Sequence, residues 1–237
     1  MKIKDEENIK EEQVWLLTYA DMMTLLFAFF VLLYSMSSPD PVKKSQLQEG
    51  MAEALGIQGK ESMDMQSQSE INETIKDIIE ELDLEGKASI KADPRGVAME
   101  IEGDICFGSG STNLGEPLKE ILNLATDKIL SNINDYRLVV IEGHTDADAI
   151  PEELKEIFPT NWELSAARAS KVVNYLIDIG VNSGKLQASG YADRWPASLN
   201  WSQVRGGAVT DSLIFANNKT LEQKRLNRRI KIIFTKN

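Results

Sequence analysis

The chain has 237 residues and a formal net charge of −11, a balance that argues against a nucleic-acid ligand because such a ligand requires a basic face. Its one cysteine, Cys106, excludes an intramolecular disulfide and is predicted to be a small buried apolar residue. With one histidine, His144, the sequence contains no zinc-binding set of the usual spacing, and the length fits one domain plus a membrane segment.

Residues 14–36 form the first predicted element, an apolar helix whose only charged residue is Asp21. At about 1.5 Å rise per residue, this stretch is long enough to cross a bilayer core of roughly 30 Å. Trp15 and Tyr34 lie near its two ends, where aromatic rings mark membrane interfaces. A cleaved signal peptide is the alternative, but its apolar core would be shorter and would follow a basic leader. We therefore predict a single transmembrane helix after a short N-terminal segment, residues 1–13.

The orientation of this helix is only weakly encoded. Acidic residues outnumber lysines before the helix, and Lys43 and Lys44 follow it, so the positive-inside signal is small. A short, uncleaved leader favours a cytoplasmic N-terminus, with the rest of the chain on the outer side of the membrane.

Asp21 is costly in such a helix, because an ionised carboxylate within a membrane span costs roughly 2.5 to 3.5 kcal/mol on insertion scales. This cost favours the neutral form unless the acid faces a partner helix or water. On a helix, Asp21 shares one stripe with small and polar residues, against which other helices can pack: Thr18, Thr24, Ala28 and Ser35. An acid that alternates between neutral and charged forms can accept and release a cation. A purely structural hydrogen bond between helices is the alternative.

Residues 37–87 are rich in polar residues, with too few apolar ones for a core, and are predicted to be a connecting region. Two stretches in it have apolar residues at helical spacing, KKSQLQEGMAEALGI and SEINETIKDIIEEL. For both, a partly formed surface helix and a partner-binding or membrane-lying role remain open.

From residue 88 to residue 237 the pattern alternates between strands and helices. ASIKADPRGVAMEIEGD indicates a β-hairpin, and a helix, a strand, the long helix in NWELSAARASKVVNYLIDIG and two more strands are predicted to follow. This order predicts an α/β sandwich, in which one mixed sheet is covered by helices. The domain contains no catalytic set, so the chain is not expected to be an enzyme.

Two sets of motifs are similar to known families. In chain order, IEGHTD, NWELSAARASKVVNYLIDIGV, ASGYADRWP and LNRRIKIIF resemble the OmpA-type peptidoglycan-binding domain. LTYADMMTLLFAFFVLLYSMSS resembles the membrane helix of flagellar stator B subunits, the MotB and PomB family. Together the two resemblances cover all of the chain except the connecting region.

The stator resemblance implies a single-pass subunit of the bacterial inner membrane that helps to drive flagellar rotation in motility and chemotaxis. In that family two B-subunit helices lie inside a ring of MotA-like A subunits, and only the A subunits contact the rotor. Asp21 matches the ion-carrying aspartate, and four neighbours would support the ion pathway: Thr18, Tyr19, Thr24 and Ala28. No cofactor is implied. The transported ion would be H⁺ or Na⁺, since a carboxylate serves both.

Asp146 and Arg168 are predicted to place charges of both signs near one crevice. Such a pair suits a zwitterionic ligand, with the carboxylate meeting an ammonium group and the guanidinium forking onto a carboxylate. The OmpA-type resemblance implies that they hold the amino-acid end of diaminopimelate in the peptide stem, with Thr145, Asn161 and Arg228 lining or supporting the pocket. A structural ion pair is the alternative, and His144 is expected to pack or to fix a loop.

Two further expectations follow from the resemblance. Residues 43–57 are placed where stators have a plug that blocks ion flow. Residues 200–217 form an excursion that typical members lack, which is expected to cover the pocket or contact a partner. This departure leaves open a related motor, such as the B component of a Zorya-type anti-phage complex, and a wall tether that conducts no ions is a third reading.

Overall fold

The computed structural model describes residues 15–31, 66–108, 111–132, 135–207 and 209–236. The chain divides into two compact units, residues 1–40 and residues 41–237. The predicted N-terminal segment 1–13, the predicted plug 43–57 and the span residues 14 and 32–36 lie outside the described residues.

The described part of the first unit is one α-helix, residues 15–31, which we label α1. Its side chains are exposed along its whole described length, including large apolar ones such as Leu17 and Phe27. Among the described residues, no helix combines the length and the hydropathy that a membrane span requires.

The second unit begins with a helix that is part of the folded domain. Helix α2 (Gln68–Glu81) starts with a capping box, in which the Ser67 side chain accepts from the Glu70 amide and the Glu70 carboxylate accepts from the Ser67 amide. One face of the helix is buried in the main core: Ile71, Ile75, Ile78 and Ile79. We predicted this stretch within the connecting region 37–87; the structure instead packs it on the sheet, because its isoleucines fall on one stripe.

Five strands form one mixed sheet in the order β1-β2-β5-β3-β4. β3 and β4 are parallel, whereas the β1-β2, β2-β5 and β3-β5 pairs are antiparallel. The strands are β1 (Ala88–Asp93), β2 (Gly96–Glu102), β3 (Val139–His144), β4 (Leu186–Gly190) and β5 (Arg229–Thr235).

The α/β sandwich with its mixed sheet is confirmed, but seven α-helices follow β2 in the described residues, where the sequence predicted two. They are α3 (Gly103–Cys106), α4 (Glu116–Ala125), α5 (Glu152–Lys155), α6 (Asn161–Asp178), α7 (Trp201–Arg205), α8 (Asp211–Ala216) and α9 (Leu221–Asn227). A π-helical turn, Thr126–Leu130, extends α4, and a short 3-10 helix, Ser183–Lys185, precedes β4.

The two faces of the sheet differ in chemistry. Alternate residues of β2, β3 and β5 point into the main core together with α2, α4 and α6, for example Met99, Ile141 and Ile232. Cys106 is also buried in this core, as predicted, and burial raises the pKa of its thiol. The core therefore lies between one face of the sheet and the long helices.

The opposite face carries a buried ion network. Asp93 accepts from Arg95 Nε at 2.8 Å and from Lys231 Nζ at 2.7 Å, and Arg95 Nη1 donates to Glu142 Oε1 at 2.7 Å. The side chains of Asp93 and Glu142 are fully buried. Buried charges require such pairing, because an unpaired charge in the interior is costly.

The excursion at residues 200–217 folds into α7 and α8. Arg205 of α7 lies over the rings of Tyr191 and Trp195, at 5.8 Å from each centroid, and Trp195 in turn lies 5.3 Å from Lys231 Nζ. Asp211 of α8 pairs with Arg194 at 2.6 Å. The excursion therefore packs, through these two aromatic rings, beside the polar face of the sheet.

Candidate functional site

The predicted ion site lies on α1. Thr24 Oγ1 donates to the Asp21 carbonyl at 2.8 Å, and Thr18 Oγ1 donates to the Trp15 carbonyl at 2.8 Å, so both hydroxyl protons are used within the helix. The Asp21 carboxylate has no hydrogen bond or ion pair to any residue that the structure describes. Asp21 is thus presented on a helix that leaves its carboxylate available to another molecule.

The other predicted support residues divide between two sides of α1. At about 100° per residue, Ala28 lies about 20° from Asp21 around the helix axis, and Thr18 and Thr24 lie about 60° from it on either side. Tyr19 lies on the opposite side, where its ring is 6.3 Å from that of Trp15. Tyr19 and Asp21 therefore lie on opposite sides of α1.

The predicted wall-binding residues meet at a loop that follows β3, which we call the site loop, residues 145–148. Asn161, the first residue of α6, donates to the carbonyls of Asp146 at 3.3 Å and Asp148 at 3.1 Å. The Thr145 amide donates to the Ala192 carbonyl at 2.9 Å, while the buried Thr145 hydroxyl has no hydrogen-bond partner among the described residues. Asn161 and Thr145 therefore stabilise the backbone of the site loop through hydrogen bonds to carbonyl groups.

Close packing of α6 on the sheet brings Asn161 to this loop. Gly143 of β3 and Gly190 of β4 are paired in register, and α6 crosses them at Ser165. A Cβ atom at Gly143 would overlap the Ser165 carbonyl, so only glycine permits this approach. Ser165 Oγ also accepts from the Ala192 amide at 3.0 Å, which ties the helix to the chain after β4.

Asp146 itself is nearly buried, with 8% of its surface exposed. Its Oδ2 accepts from Arg228 Nη1 at 2.6 Å, and its Oδ1 accepts from the Asp148 amide at 3.2 Å. The other edge of the Arg228 guanidinium, Nε and Nη2, faces both oxygens of Asp104 at 3.3 Å. Although burial opposes the charged form, the hydrogen bonds to Asp146 and Asp104 raise the pKa of Arg228.

Arg168 lies beside this group without contacting Asp146 directly. Its Nε and Nη2 donate to the Ser111 carbonyl at 3.3 and 3.2 Å, and its guanidinium carbon lies 5.0 Å from the Phe107 ring centroid. Burial lowers the pKa of Arg168, and the charge of Asp146 partly offsets this effect. The alternative reading, a structural Asp146–Arg168 ion pair, is wrong, because Asp146 pairs with Arg228 instead.

Asn218, the residue that follows the excursion, and Lys224 of α9 brace the site loop. The Ala147 amide donates to Asn218 Oδ1 at 3.0 Å, and Lys224 Nζ contacts the Asp148 carboxylate at 2.6 Å. Asn218 also accepts from Asn227 Nδ2 at 3.0 Å and donates to the Ile214 carbonyl at 2.8 Å. The excursion thus supports the site loop through a buried amide.

Sequence reasoning missed Asp104, Ser111, Phe107 and Asn218. Asp104 reaches the site because β2 and β5 pair with Glu102 opposite Arg229, which places the residues after Glu102 beside Arg228. The Gly103 amide donates to the Arg228 carbonyl at 2.7 Å. Ser111 and Asn218 reach the site through loop conformations that the sequence pattern does not encode.

His144 packs rather than binds. It is 2% exposed and stacks on the Tyr191 ring at 5.5 Å, with the Trp195 ring edge-on at 6.1 Å. Burial and the positive charge of Arg229 lower the pKa of His144 to about 3, so the ring is neutral at physiological pH. The part of the chain that the structure describes contains no cluster of three or more side chains suited to a metal ion.

Comparisons with known proteins agree with this architecture. Residues 1–55 match the family model described as membrane MotB of the proton-channel complex MotA/MotB, and residues 106–214 match the OmpA family. The plug-family match includes Asp21, and the OmpA match includes the site loop and Arg168.

The similarity to individual proteins extends over nearly the whole chain. An uncharacterised protein of Bacillus subtilis, YtxE, is 29% identical, and the match covers 97% of this chain and 91% of that protein. Motility protein B of the same organism is 27% identical, with 98% and 94% covered. The crystal structure of a MotB-like protein from Desulfovibrio vulgaris, 19% identical, matches with a TM-score of 0.57 over 72% of this chain and 91% of that chain, which supports the fold.

These findings show which proteins the chain is similar to. Both family models and the Motility protein B relatives point to structural, non-enzymatic proteins, in agreement with the prediction that the chain is not an enzyme. The chain is therefore similar to MotB proteins over nearly its whole length, and residues 106–214 are similar to the OmpA family.

Proposed function

We propose that this chain is the ion-conducting, wall-anchored B subunit of a stator that converts a transmembrane ion gradient into torque for flagellar rotation. The observation that carries the proposal is the combination, in one chain, of a single-acid apolar helix within the MotB-matched segment and a folded OmpA-like domain. Neither part alone would distinguish a motor from an anchor.

Asp21 is the proposed ion carrier. Thr18, Thr24 and Ala28 give its side of α1 a small, polar surface against which another helix can pack. A single helix cannot enclose an ion pathway, so the proposal requires a second copy of this chain and a surrounding ring of MotA-like subunits. Each elementary charge that crosses 100 mV supplies about 2.3 kcal/mol, which is the source of the work. The rotor is contacted only through the A subunits.

The OmpA-like domain is the proposed anchor. Asp146, Arg168 and Arg228 bring charges of both signs to one place, which suits the ammonium and carboxylate of diaminopimelate in a peptide stem.

The proposed topology has a cytoplasmic N-terminus, one span in the inner membrane and a wall-facing domain. Residues 43–57 are the proposed plug that gates ion flow until the domain is anchored.

Replacing Asp21 with Asn tests the ion-carrying role. The chain and its A subunit are co-expressed, ion flux is measured in proteoliposomes, and rotation is measured in cells. Asp21→Asn should abolish flux and torque while the chain still co-sediments with purified peptidoglycan. Met22→Leu is the matched control, because it changes the adjacent position without removing a charge, and it should retain both activities. Normal flux and torque with Asp21→Asn would show that Asp21 does not carry the ion, whereas no flux and no torque from the unmodified chain with its A subunit would leave a wall tether that conducts no ions.

The ion itself is identified in the same system. Flux is measured with sodium withdrawn at a fixed membrane potential. Flux that persists identifies H⁺ as the transported ion, and flux that stops identifies Na⁺. Asp21→Asn should abolish the flux in either case, because the same carboxylate would carry both ions.

A further inference from the structure

Asp104 contacts the charged pair Asp146–Arg228 at the site loop, and the predicted binding pocket gives it no role. Its two carboxylate oxygens face Nε and Nη2 of Arg228 at 3.3 Å, while Nη1 of the same guanidinium donates to Asp146 at 2.6 Å. Arg228 is therefore shared between two carboxylates. Asp104 is the more exposed of the two, whereas Asp146 is nearly buried.

The fold fixes this arrangement. Asp104 lies two residues beyond the end of β2, and the β2-β5 register places Glu102 opposite Arg229, next to Arg228. The chain turns at Gly103, where a Cβ atom would lie 2.9 Å from the Arg228 carbonyl oxygen. The approach of Asp104 to Arg228 is thus imposed by strand pairing and a close glycine contact, and does not depend on a flexible loop.

The four charged groups act on one another. The charges of Asp146, Arg228 and Asp104 all influence the Arg168 guanidinium, which is itself largely buried. With Asp104 present, two carboxylates balance two guanidinium groups. Without Asp104, two cations would face one carboxylate, and the site would favour a ligand that carries only negative charge.

We propose that Asp104 is a specificity-determining positioning residue, which holds Arg228 so that the pocket prefers a ligand end bearing both an ammonium and a carboxylate over one bearing a carboxylate alone. This inference rests on the proposed function of the domain in binding the peptide stem. An incoming ammonium must share Asp146 with Arg228 Nη1, and Asp104 stabilises Arg228 from its other edge as that contact loosens. The effect reaches the ligand through Arg228, and Asp104 itself need not touch the ligand.

Two probes test the preference with the full-length chain in detergent. One is the tripeptide L-Ala-γ-D-Glu-meso-diaminopimelate, and the other is the same peptide with 2-aminopimelate at the third position, which keeps the distal carboxylate and lacks the distal ammonium. Calorimetry should show that the unmodified chain prefers the first probe. Asp104→Asn should reduce this preference by roughly tenfold, mainly through weaker binding of the diaminopimelate probe.

Two further variants serve as controls for charge and geometry. Asp104→Glu keeps the carboxylate and should restore most of the preference. Asp77→Asn removes an exposed acid from the distant helix α2 and should leave the preference unchanged. An unchanged preference in Asp104→Asn, within twofold of the original, would overturn the inference.

A double-mutant cycle tests whether the effect passes through Arg228. In an Arg228→Gln background, adding Asp104→Asn should alter the preference by less than about twofold, because the intermediary is absent. A full-sized shift in that background would show that Asp104 acts on the ligand directly, and would overturn the positioning role.

Asp146→Ala separates this inference from the proposed function. If Asp146→Ala loses binding of both probes while Asp104→Asn behaves like the original chain, only the role of Asp104 is wrong. If the unmodified chain binds neither probe, or if Asp146→Ala binds both normally, the assignment of the pocket is wrong and the role of Asp104 fails with it.

Discussion

The contrast between α1 and α2 shows which part of the chain depends on other molecules. Both helices are rich in apolar residues, but those of α2 lie on one stripe, and Ile75 is fully buried by the sheet of the same domain. In α1 they surround the helix, and Phe27 is 71% exposed. A helix that is apolar all round requires an apolar environment or partner helices, whereas an amphipathic one can be covered by its own domain.

The acids of the two regions follow the same contrast. Asp146 has protein partners for both carboxylate oxygens, from Arg228 and the Asp148 amide. The carboxylate of Asp21 has no such partner within the described residues. The domain thus completes its charged site alone, and any ion chemistry at Asp21 has to be completed by another chain.

The largest effect is expected from disrupting the core of the domain that contains α2. Ile75→Asp places a charge in the core and should prevent the domain from folding, because an unpaired buried charge costs several kcal/mol. Near-UV circular dichroism of the full-length protein in detergent measures the loss of packing. Phe27→Ala, on α1, is the comparison and should leave the unfolding transition of the domain unchanged. A folded Ile75→Asp protein would show that the domain does not need α2.

The buried ion network gives the next largest effect. Glu142→Ala leaves Arg95 and Lys231 with one carboxylate, Asp93, and should destabilise the domain by about 3 kcal/mol. Urea denaturation measures the change in the free energy of unfolding. Glu152→Ala, an exposed acid on α5, is the control and should cost less than about 0.5 kcal/mol. Equal stabilities of the two variants would contradict the structural importance of the network.

The dependence of stability on pH tests the neutral state of His144. Its pKa in the folded chain is about 3, below the ordinary value of 6.5, so between these values the unfolded chain binds a proton that the folded chain does not. The free energy of unfolding should therefore fall on acidification below pH 6.5, by up to about 1.4 kcal/mol per pH unit.

His144→Phe isolates this effect. The variant should lose most of the slope between pH 6.5 and pH 5, measured by denaturation at fixed ionic strength. Below pH 4.5 a second loss should remain. Burial raises the pKa of Glu142, but the hydrogen bond from Arg95 still lowers it when His144 is absent, so the stabilising contribution of Glu142 disappears as the pH falls below the ordinary pKa of a glutamate. A flat profile above pH 5 in the unmodified chain would contradict the burial of a neutral His144.

The smallest expected effect concerns the link between the excursion and the site loop. Asn218→Ala removes the acceptor of the Ala147 amide and should cost about 1 kcal/mol of stability and weaken retention on peptidoglycan by a few fold. Asn182→Ala, at a cap remote from the site, is the control and should affect stability alone. Unchanged retention in Asn218→Ala would show that the excursion does not support binding.

Most of the fold could be read from local patterns. The alternation in β5 and the stripe of α6 predicted strand and helix correctly, because each pattern reflects a single buried face. The interpretation of α2 was less successful: its isoleucine stripe predicted a helix, but its polar surroundings suggested a connecting region. Periodicity shows that a face is apolar, and only the sheet shows what that face packs against.

The candidate site was predictable in part. The residues of the GHTD and NRR motifs, Asp146 and Arg228, are close together as expected, but the partner of each guanidinium was not foreseen. Arg168 donates to the Ser111 carbonyl, and Arg228 bridges Asp146 and Asp104. These choices depend on distances of a few ångströms between segments far apart in sequence, which side-chain type alone does not determine.

Local sequence features alone predict an apolar helix with one acid and an α/β domain whose motifs resemble those of wall-binding domains, and they contain no catalytic set. These properties follow from residue type and short-range periodicity. The tertiary structure alone decided that α2 belongs to the domain, that the excursion braces the site loop, and that Asp104 shares Arg228 with Asp146. Each of these is a long-range contact, and such contacts are fixed by strand register and helix packing rather than by any local pattern.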